Sequence, residues 1–357
     1  MTINATSHKI DFRSDNVGTV SPSILAALAA ANTGSEASYG EDIWSRRLDR
    51  RFSELFETDV KVFPVSTGTA ANALSLSVLT RPYGAVYCHE AAHIHTSEAG
   101  AAEFFSGGAK LALLSGDGFR LQAPALARAV ATAGVGVRNK SQPAAVSVTQ
   151  ATEYGTLYRL PELKAIGEVA REARLKFHMD GARFANALVA LSCTPAEMTW
   201  RAGVDILSFG ATKNGGMNAE AIVVFNMTIA EDLSYRLRRA GQTWSKMRFS
   251  SAQLLAYVEN DLFLNSARRA NDLAARLEMG LRNLPAVKLV APVEANELFL
   301  ELPEQVIDAL IAEGILFFRR SPQLIRLVCR FDGTDSEVDL FLDALRRCLG
   351  NRPTAGG

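Results

Sequence analysis

The sequence predicts an α/β protein with a large domain, built on a mostly parallel seven-stranded sheet, and a smaller C-terminal α+β domain. Short apolar runs alternate with helical segments between residues 60 and 225, the pattern of repeated βαβ units. The chain has 357 residues, which is too long for one ordinary core. After about residue 250 the alternation gives way to a long helical region and mixed elements. We therefore expect an N-terminal arm and large domain over residues 1–250 and a small domain over 251–357.

The individual elements follow from local sequence signals. Pro22 suits a first helical turn and opens a helix to about Ala31, and apolar residues at helical spacing predict a second helix over 44–56. Apolar runs then predict strands over 60–65, 85–89, 110–114, 144–148, 176–179, 206–209 and 221–225. The segments between them predict helices over 69–79, 96–105, 123–132 and 161–174. In the second domain we expect a helical region over 252–282, strands over 287–290, 297–301, 315–319 and 324–330, and helices from 304 and over 336–349.

Composition excludes several classes of partner. Lys+Arg and Asp+Glu both total 38, so the formal net charge is zero. It therefore gives no indication of nucleic acid or an anionic membrane as a partner. The sequence has no apolar run of the roughly 18–20 residues that span a bilayer and no secretory leader pattern. The cysteines lie far apart and form no CxxC pair, which argues against a zinc site and a disulfide framework: Cys88, Cys193, Cys329 and Cys348. We expect a cytoplasmic protein without a metal.

An acid and a lysine follow two neighbouring strands of the predicted sheet. Asp180 ends one apolar run and Lys213 follows the next, each close to glycine. Because α/β sheets bind ligands at the carboxyl ends of their strands, both side chains are expected in one cleft. A lysine for a Schiff base and an acid beside a pyridine nitrogen indicate a pyridoxal phosphate enzyme. Taken singly, Asp180 also fits a helix N-cap and Lys213 a solvated loop lysine.

Three further positions support this interpretation, although each has an ordinary alternative. Thr67-Gly68-Thr69 lies between a strand and a helix and could cradle a phosphate, or merely cap the helix. His93 could stack on a cofactor ring or transfer a proton, or could be a surface histidine. Arg183 could grip a substrate carboxylate in a bidentate manner, or form a solvated salt bridge.

At these residues the chain resembles the threonine aldolase family, the aromatic amino acid β-eliminating lyase/threonine aldolase group, over most of its length. The resemblance is carried by a co-linear set of motifs: Phe12-Arg-Ser-Asp-Asn-Val17, Ser38-Tyr-Gly-Glu-Asp42, Thr67-Gly-Thr69, Ala92-His-Ile94 with Glu98-Ala-Gly100, His178-Met-Asp-Gly-Ala-Arg183 and Ile325-Arg-Leu-Val328. It implies the fold type I PLP-dependent transferase-like architecture. It also implies cleavage of L-threonine, L-allo-threonine or L-phenylserine to glycine and an aldehyde.

The resemblance also implies roles for individual residues. The expected catalytic residues are Lys213, His93 and Asp180. The expected cofactor-binding residues are Thr67, Gly68, Thr69, His93, Asp180, Arg183, Lys213 and Arg248, and the cofactor is pyridoxal 5'-phosphate. The expected substrate-binding residues are Ser14, Tyr39, Arg183 and Arg326. A homotetramer or homodimer is implied, in which Tyr39 and Arg248 reach into the neighbouring subunit.

The resemblance leaves parts of the chemistry open. Family members often carry a histidine, linked to the substrate's β-hydroxyl, where this chain has Thr149-Gln-Ala-Thr-Glu-Tyr-Gly155. The base that acts on that hydroxyl is therefore not assigned by sequence. A β-eliminating lyase or an aminotransferase on the same fold is the nearer alternative. A non-catalytic scaffold or regulatory binding protein is the further one, and the intact set of lysine, aspartate, cradle and arginines speaks against it.

Overall fold

Helices and strands alternate along the chain as the sequence predicts. The computed structural model of the protein describes residues 10–282, 284 and 286–350. Its α-helices are α1 Pro22–Ala31, α2 Ile43–Phe56, α3 Gly68–Leu79, α4 His93–Thr96, α5 Ala101–Ser106, α6 Ala123–Ala131, α7 Leu160–Glu172, α8 Phe184–Leu191, α9 Pro195–Met198, α10 Ala230–Arg239, α11 Arg248–Val258, α12 Leu262–Leu281, α13 Glu304–Ala312 and α14 Asp335–Gly350. Its strands are β1 Lys61–Val65, β2 Gly84–His89, β3 Lys110–Leu114, β4 Gln142–Thr149, β5 Lys176–Gly181, β6 Ile206–Gly210, β7 Glu220–Val224, β8 Lys288–Leu289, β9 Glu297–Glu301, β10 Phe318–Ser321 and β11 Leu324–Val328.

The large domain is built on one seven-stranded sheet in the order β1-β7-β6-β5-β4-β2-β3. Strands β3, β2, β4, β5 and β6 pair in parallel, whereas β7 runs antiparallel to both β6 and β1. Every residue of β2, β6 and β7 is buried, because helices cover both faces of the sheet. The carboxyl ends of β4, β5 and β6 consequently meet along one edge.

A second core lies around a four-stranded antiparallel sheet in the order β10-β11-β9-β8. Helices α13, α14 and the second half of α12 contribute apolar side chains to this core. The N-terminal segment also belongs to it, since Phe12 is buried there and its backbone N–H donates to the Leu316 carbonyl at 2.8 Å. The N-terminal arm thus connects the small sheet to the large domain.

Helix α12 contributes to both cores. Phe263 and Ala267, in its first half, pack in the core of the large domain, whereas Leu273 and Leu277 pack in the small one. The division of the chain into 1–250 and 251–357 stays a prediction.

Two of the helices predicted from sequence are interrupted. The segment predicted as 96–105 contains the end of α4 and all but the last residue of α5, separated by Ala99 and Gly100 with φ of 51° and 75°. The region predicted as 252–282 divides into α11 and α12 at Asn260 and Asp261, with φ of 51° and 55°. Left-handed residues end a right-handed helix, and Asn, Asp and Gly adopt that conformation at low cost. Helix α10 was not predicted.

Neither a membrane-spanning helix nor a metal-binding cluster occurs in the part of the chain that the structure describes. No helix there is both long and apolar enough to cross a bilayer. No group of three or more His, Cys, Asp or Glu side chains there is arranged to hold a metal ion.

Candidate active site

A cleft with two adjoining cavities lies at the carboxyl edge of the large sheet. The inner cavity, of about 300 Å³, is lined by Thr67, Gly68, Thr69 and Asp180 among others. The outer cavity, of about 970 Å³, extends towards the small domain. It is lined by Ser14 and Arg326 among others. The residues that line both cavities are Asn16, His93, Glu153, Arg183 and Lys213.

Lys213 lies in a short 3-10 turn directly after β6. Glu220, the first residue of β7, accepts the backbone N–H groups of Ala211 at 3.1 Å and Thr212 at 3.3 Å. On the other side, the Asn214 amide donates to the Tyr257 hydroxyl at 2.8 Å. Burial raises the pKa of the Glu220 carboxyl, and the nearby Lys213 opposes this shift. The lysine is therefore presented to both cavities from a turn that is held on both sides.

Asp180 is buried at the carboxyl end of β5, on the wall of the inner cavity. Its Oδ1 accepts the Ala182 backbone N–H at 3.0 Å, and its Oδ2 accepts the Asn72 side-chain amide at 2.8 Å. Asn72, in α3, also donates to Glu98 Oε1 at 2.8 Å. One amide therefore holds two carboxylates, a role that sequence reasoning missed. Asn72 lies four residues after Gly68, so it is one helical turn from the predicted cradle.

His93 begins α4 and lines both cavities of the cleft. Its Nδ1 lies 2.8 Å from Glu98 Oε1, and the Glu98 side chain is fully buried. This hydrogen bond raises the pKa of His93, while burial raises the pKa of Glu98. The Glu98 carboxylate therefore orients the imidazole and favours its protonated form.

The predicted cradle both caps a helix and faces the inner cavity. Thr67 Oγ1 accepts the Ala70 backbone N–H at 3.1 Å, as an N-cap does. A Cβ added at Gly68 would meet no atom within 4 Å, so the backbone here is open to a ligand. Thr212 Oγ1 is buried without a hydrogen-bond partner among the described residues. Free N–H groups at a helix N-terminus and an unpaired hydroxyl suit a phosphate group.

Arg183 is held by two buried carboxylates. Its Nε and Nη2 donate to the two Asp15 oxygens at 2.8 and 3.1 Å, and its Nη1 lies 3.0 Å from Glu297 Oε2. Burial alone would raise the pKa of Asp15, but Arg183 and Lys213 hold it below its ordinary value. Burial raises the pKa of Glu297 despite its arginine neighbours. Neither acid was recognised from sequence, because this cluster joins three distant segments.

Arg326, from β11, is less fully neutralised than Arg183. Its Nη1 lies 3.7 Å from Glu297 Oε1, and its Nη2 donates to the Arg13 carbonyl at 3.1 Å. Ser14 lies beside it on the outer cavity, where its Oγ accepts the Asn16 N–H at 3.2 Å. The expectation that Arg183 and Arg326 both bind a substrate carboxylate stays a prediction, and the geometry leaves Arg326 more available.

Tyr39 and Arg248 do not line the cleft of their own chain. The Tyr39 ring is 49% exposed and lies 4.6 Å below the Arg238 guanidinium. The Arg248 guanidinium lies 5.1 Å from the Phe249 ring and reaches the Gly34 carbonyl at 3.5 Å. Their predicted contribution to a neighbouring subunit's site stays a prediction.

Glu153 is a further cleft carboxylate that the sequence analysis did not single out. Its Oε1 accepts the Thr149 hydroxyl at 2.9 Å and the backbone N–H of His93. Burial, assisted by the charge of Asp180, raises the pKa of Glu153 to about 7. The rule that identified Asp180 and Lys213 could also have found it, since Glu153 lies four residues beyond the end of β4.

The raised pKa of Glu153 predicts a pH-dependent contribution to stability. The unfolded chain binds a proton at glutamate near pH 4.3, whereas folded Glu153 binds it up to about pH 7. Between these values the folded state holds more protons, so the free energy of unfolding should fall as the pH rises. Urea unfolding at several pH values between about 5 and 8 should show this slope reduced in Glu153→Gln. Equal slopes in the two proteins would contradict it.

Comparison with known proteins agrees with this arrangement. The family model described as β-eliminating lyase matches residues 11–305. This chain belongs to that family. Within the family, it is similar to the low specificity L-threonine aldolase of Pseudomonas aeruginosa, with 47% identity over 97% of this chain and 99% of the relative. A low specificity L-threonine aldolase of a Pseudomonas species is 45% identical over 92% of this chain and 94% of the relative.

The fold agrees with a solved structure of the same group. The Leishmania major threonine aldolase superposes with a TM-score of 0.89 at 27% identity, covering 95% of this chain and 99% of that one. The predicted resemblance of this chain to the threonine aldolase group is confirmed. The predicted fold type I architecture with a mostly parallel seven-stranded sheet is also confirmed.

Proposed function

We propose that the protein is a pyridoxal phosphate-dependent aldolase that cleaves L-threonine and related L-β-hydroxy-α-amino acids to glycine and an aldehyde. The observation that carries this proposal is the meeting of Lys213 and Asp180 in the inner cavity with the Thr67-Gly68-Thr69 cradle. The names of the two Pseudomonas relatives support the choice of reaction.

The residues of the inner cavity fit the cofactor. Pyridoxal phosphate, when bound, supplies an aldehyde that links to amines and a ring that accepts electrons from a breaking bond. We assign the amine to Lys213 and the carboxylate beside the ring nitrogen to Asp180. The cradle and the unpaired Thr212 hydroxyl would hold the phosphate. His93, oriented by Glu98, would cover one face of the ring.

The outer cavity would hold the rest of the substrate. Arg326, with Ser14 and Arg183, would fix the α-carboxylate and so the direction of the Cα–Cβ bond. The aromatic rings of Phe119 and Tyr154 stack 3.6 Å apart on this cavity. Space of this size beside aromatic rings supports the acceptance of both methyl and phenyl side chains, hence also phenylserine.

Assembly and location complete the proposal. We propose a homodimer or homotetramer in which Tyr39 and Arg248 contribute to a neighbour's cleft, since neither lines its own. The four cysteines are free, which supports a reducing, cytoplasmic location.

Product analysis tests the proposed reaction. The protein, supplied with pyridoxal phosphate and L-threonine, should release glycine and acetaldehyde in equal amounts. The same assay with phenylserine should release glycine and benzaldehyde. A 2-oxo acid with ammonia would instead indicate elimination, and transfer of the amino group to an added 2-oxo acid would indicate an aminotransferase. Either result without glycine would refute the aldolase assignment.

A further inference from the structure

One carboxylate lies at the junction of the two cavities. Of the five residues that line both, two are the cations Arg183 and Lys213 and one is the carboxylate Glu153. The proposed cofactor amine, on Lys213, lies at this junction, and the proposed substrate carboxylate site, with Arg326 and Ser14, lies on the outer cavity. The bonds that change in the proposed reaction would therefore lie near the junction that Glu153 lines.

Four other cleft carboxylates already have partners or lie too deep, and the remaining one, Glu90, lines only the outer cavity. Asp180 accepts from Asn72 and Ala182 with its two oxygens, and Glu297 faces Arg183 and Arg326. Glu220, a further lining residue, accepts two backbone N–H groups. Glu98 keeps one oxygen without a partner, but that Oε2 atom is buried.

Glu153 differs from these acids in how its oxygens are used. Both of its hydrogen bonds, from Thr149 Oγ1 and the His93 backbone, end on Oε1. No described residue donates to Oε2, and this atom is not among the buried unpaired ones. Two donors thus fix the direction of the carboxyl group while one oxygen remains able to accept a proton from a ligand.

We propose that Glu153 is the general base that takes the proton of the substrate's β-hydroxyl during Cα–Cβ cleavage. This inference rests on the proposed aldolase function. Glu153 Oε2 receives the hydroxyl proton, and the electron pair of the O–H bond becomes the second bond of the aldehyde carbonyl. The Cα–Cβ bond breaks, and its electron pair stays with the glycine fragment. A proton added at Cα then completes glycine, so the reaction neither consumes nor releases a proton.

The electrostatics of the site agree with this role. Burial raises the pKa of Glu153 to about 7, close to the neutral pH at which a general base is most effective. His93 is the alternative base at the junction. Its hydrogen bond to Glu98 raises its pKa and engages its Nδ1, which favours the protonated imidazole instead.

A comparison of two substrates separates the base from a structural role. Glycine has no β-hydroxyl, so exchange of its α-hydrogen with deuterium oxide needs the cofactor site but not the proposed base. In Glu153→Gln, L-threonine cleavage should fall by about 10²–10⁴-fold. Glycine exchange, followed by NMR, and pyridoxal phosphate affinity, followed by absorbance titration, should stay near the wild-type values. Glu153→Asp should keep more cleavage than Glu153→Gln.

The outcomes distinguish this proposal from the proposed function. Glu168→Gln, which changes an exposed glutamate on α7, serves as the control and should behave as the wild type. Two results for Glu153→Gln would overturn the assignment of Glu153 while leaving the aldolase function in place. One is a wild-type cleavage rate, and the other is an equal loss of cleavage, exchange and cofactor affinity. A wild-type protein that exchanges glycine but does not cleave any β-hydroxy amino acid would overturn the aldolase function and this base together.

Discussion

Replacement of Lys213 by alanine is expected to abolish covalent attachment of pyridoxal phosphate and to lower turnover by a factor on the order of 10⁴ or more. Among the described residues that line the two cavities, Lys213 is the one lysine, so no other lysine there can replace its amine. Borohydride reduction followed by mass spectrometry of peptides should find the cofactor mass on Lys213 in the wild type. The variant should carry no such label.

A matched substitution controls for the loss of a lysine. Lys164 lies exposed on α7, away from the cleft. Lys164→Ala should therefore keep both the label on Lys213 and wild-type turnover. Labelling of another residue with full turnover in Lys213→Ala would show that the amine has been assigned to the wrong residue.

Replacement of Arg183 by methionine is expected to lower the free energy of unfolding by about 3–5 kcal/mol. The side chains of Asp15 and Glu297 are 2% and 0% exposed, and Arg183 is the cation that both contact. Its removal leaves two buried carboxylates without their shared cation, and the remaining Arg326 lies 3.7 Å from Glu297 only. Urea unfolding followed by circular dichroism measures the difference.

An exposed ion pair of similar geometry provides the comparison. Arg276 donates from its Nε and Nη2 to Asp339 at 2.8–3.1 Å, but the two side chains are 45% and 52% exposed. Arg276→Met should cost no more than about 1 kcal/mol, because water screens the pair. Adding Asp15→Asn to Arg183→Met should recover part of the lost stability. Similar costs for the two arginine variants would show that the buried cluster does not stabilise the fold.

Residues close to strand ends could be predicted from sequence, because a local rule describes them. Asp180 and Lys213 follow apolar runs, and parallel strands bring such residues to one edge of a sheet. Apolar spacing did not reveal the break at Asn260 and Asp261, since the residues on both sides keep a helical pattern.

Contacts between distant segments lay outside the reach of such rules. The Arg183 cluster joins residues from the N-terminal segment, the end of β5 and the start of β9, and only the folded chain brings these together. Glu153 follows β4 closely enough for the strand-end rule to find it, but the sequence does not show which cavities it lines. Its importance follows from the cavities that it lines.

Helix α12 has a consequence for how the two domains respond to stress. Phe263 and Leu277 lie on one uninterrupted helix but in different cores. Unfolding of either core therefore disturbs the helix that also packs in the other core. Phe12 provides a second connection, because this residue of the N-terminal segment packs in the small core. Loss of the small core would therefore release the segment that carries Asp15 against Arg183. Heat or denaturant should melt both domains in one cooperative transition rather than in two separate steps.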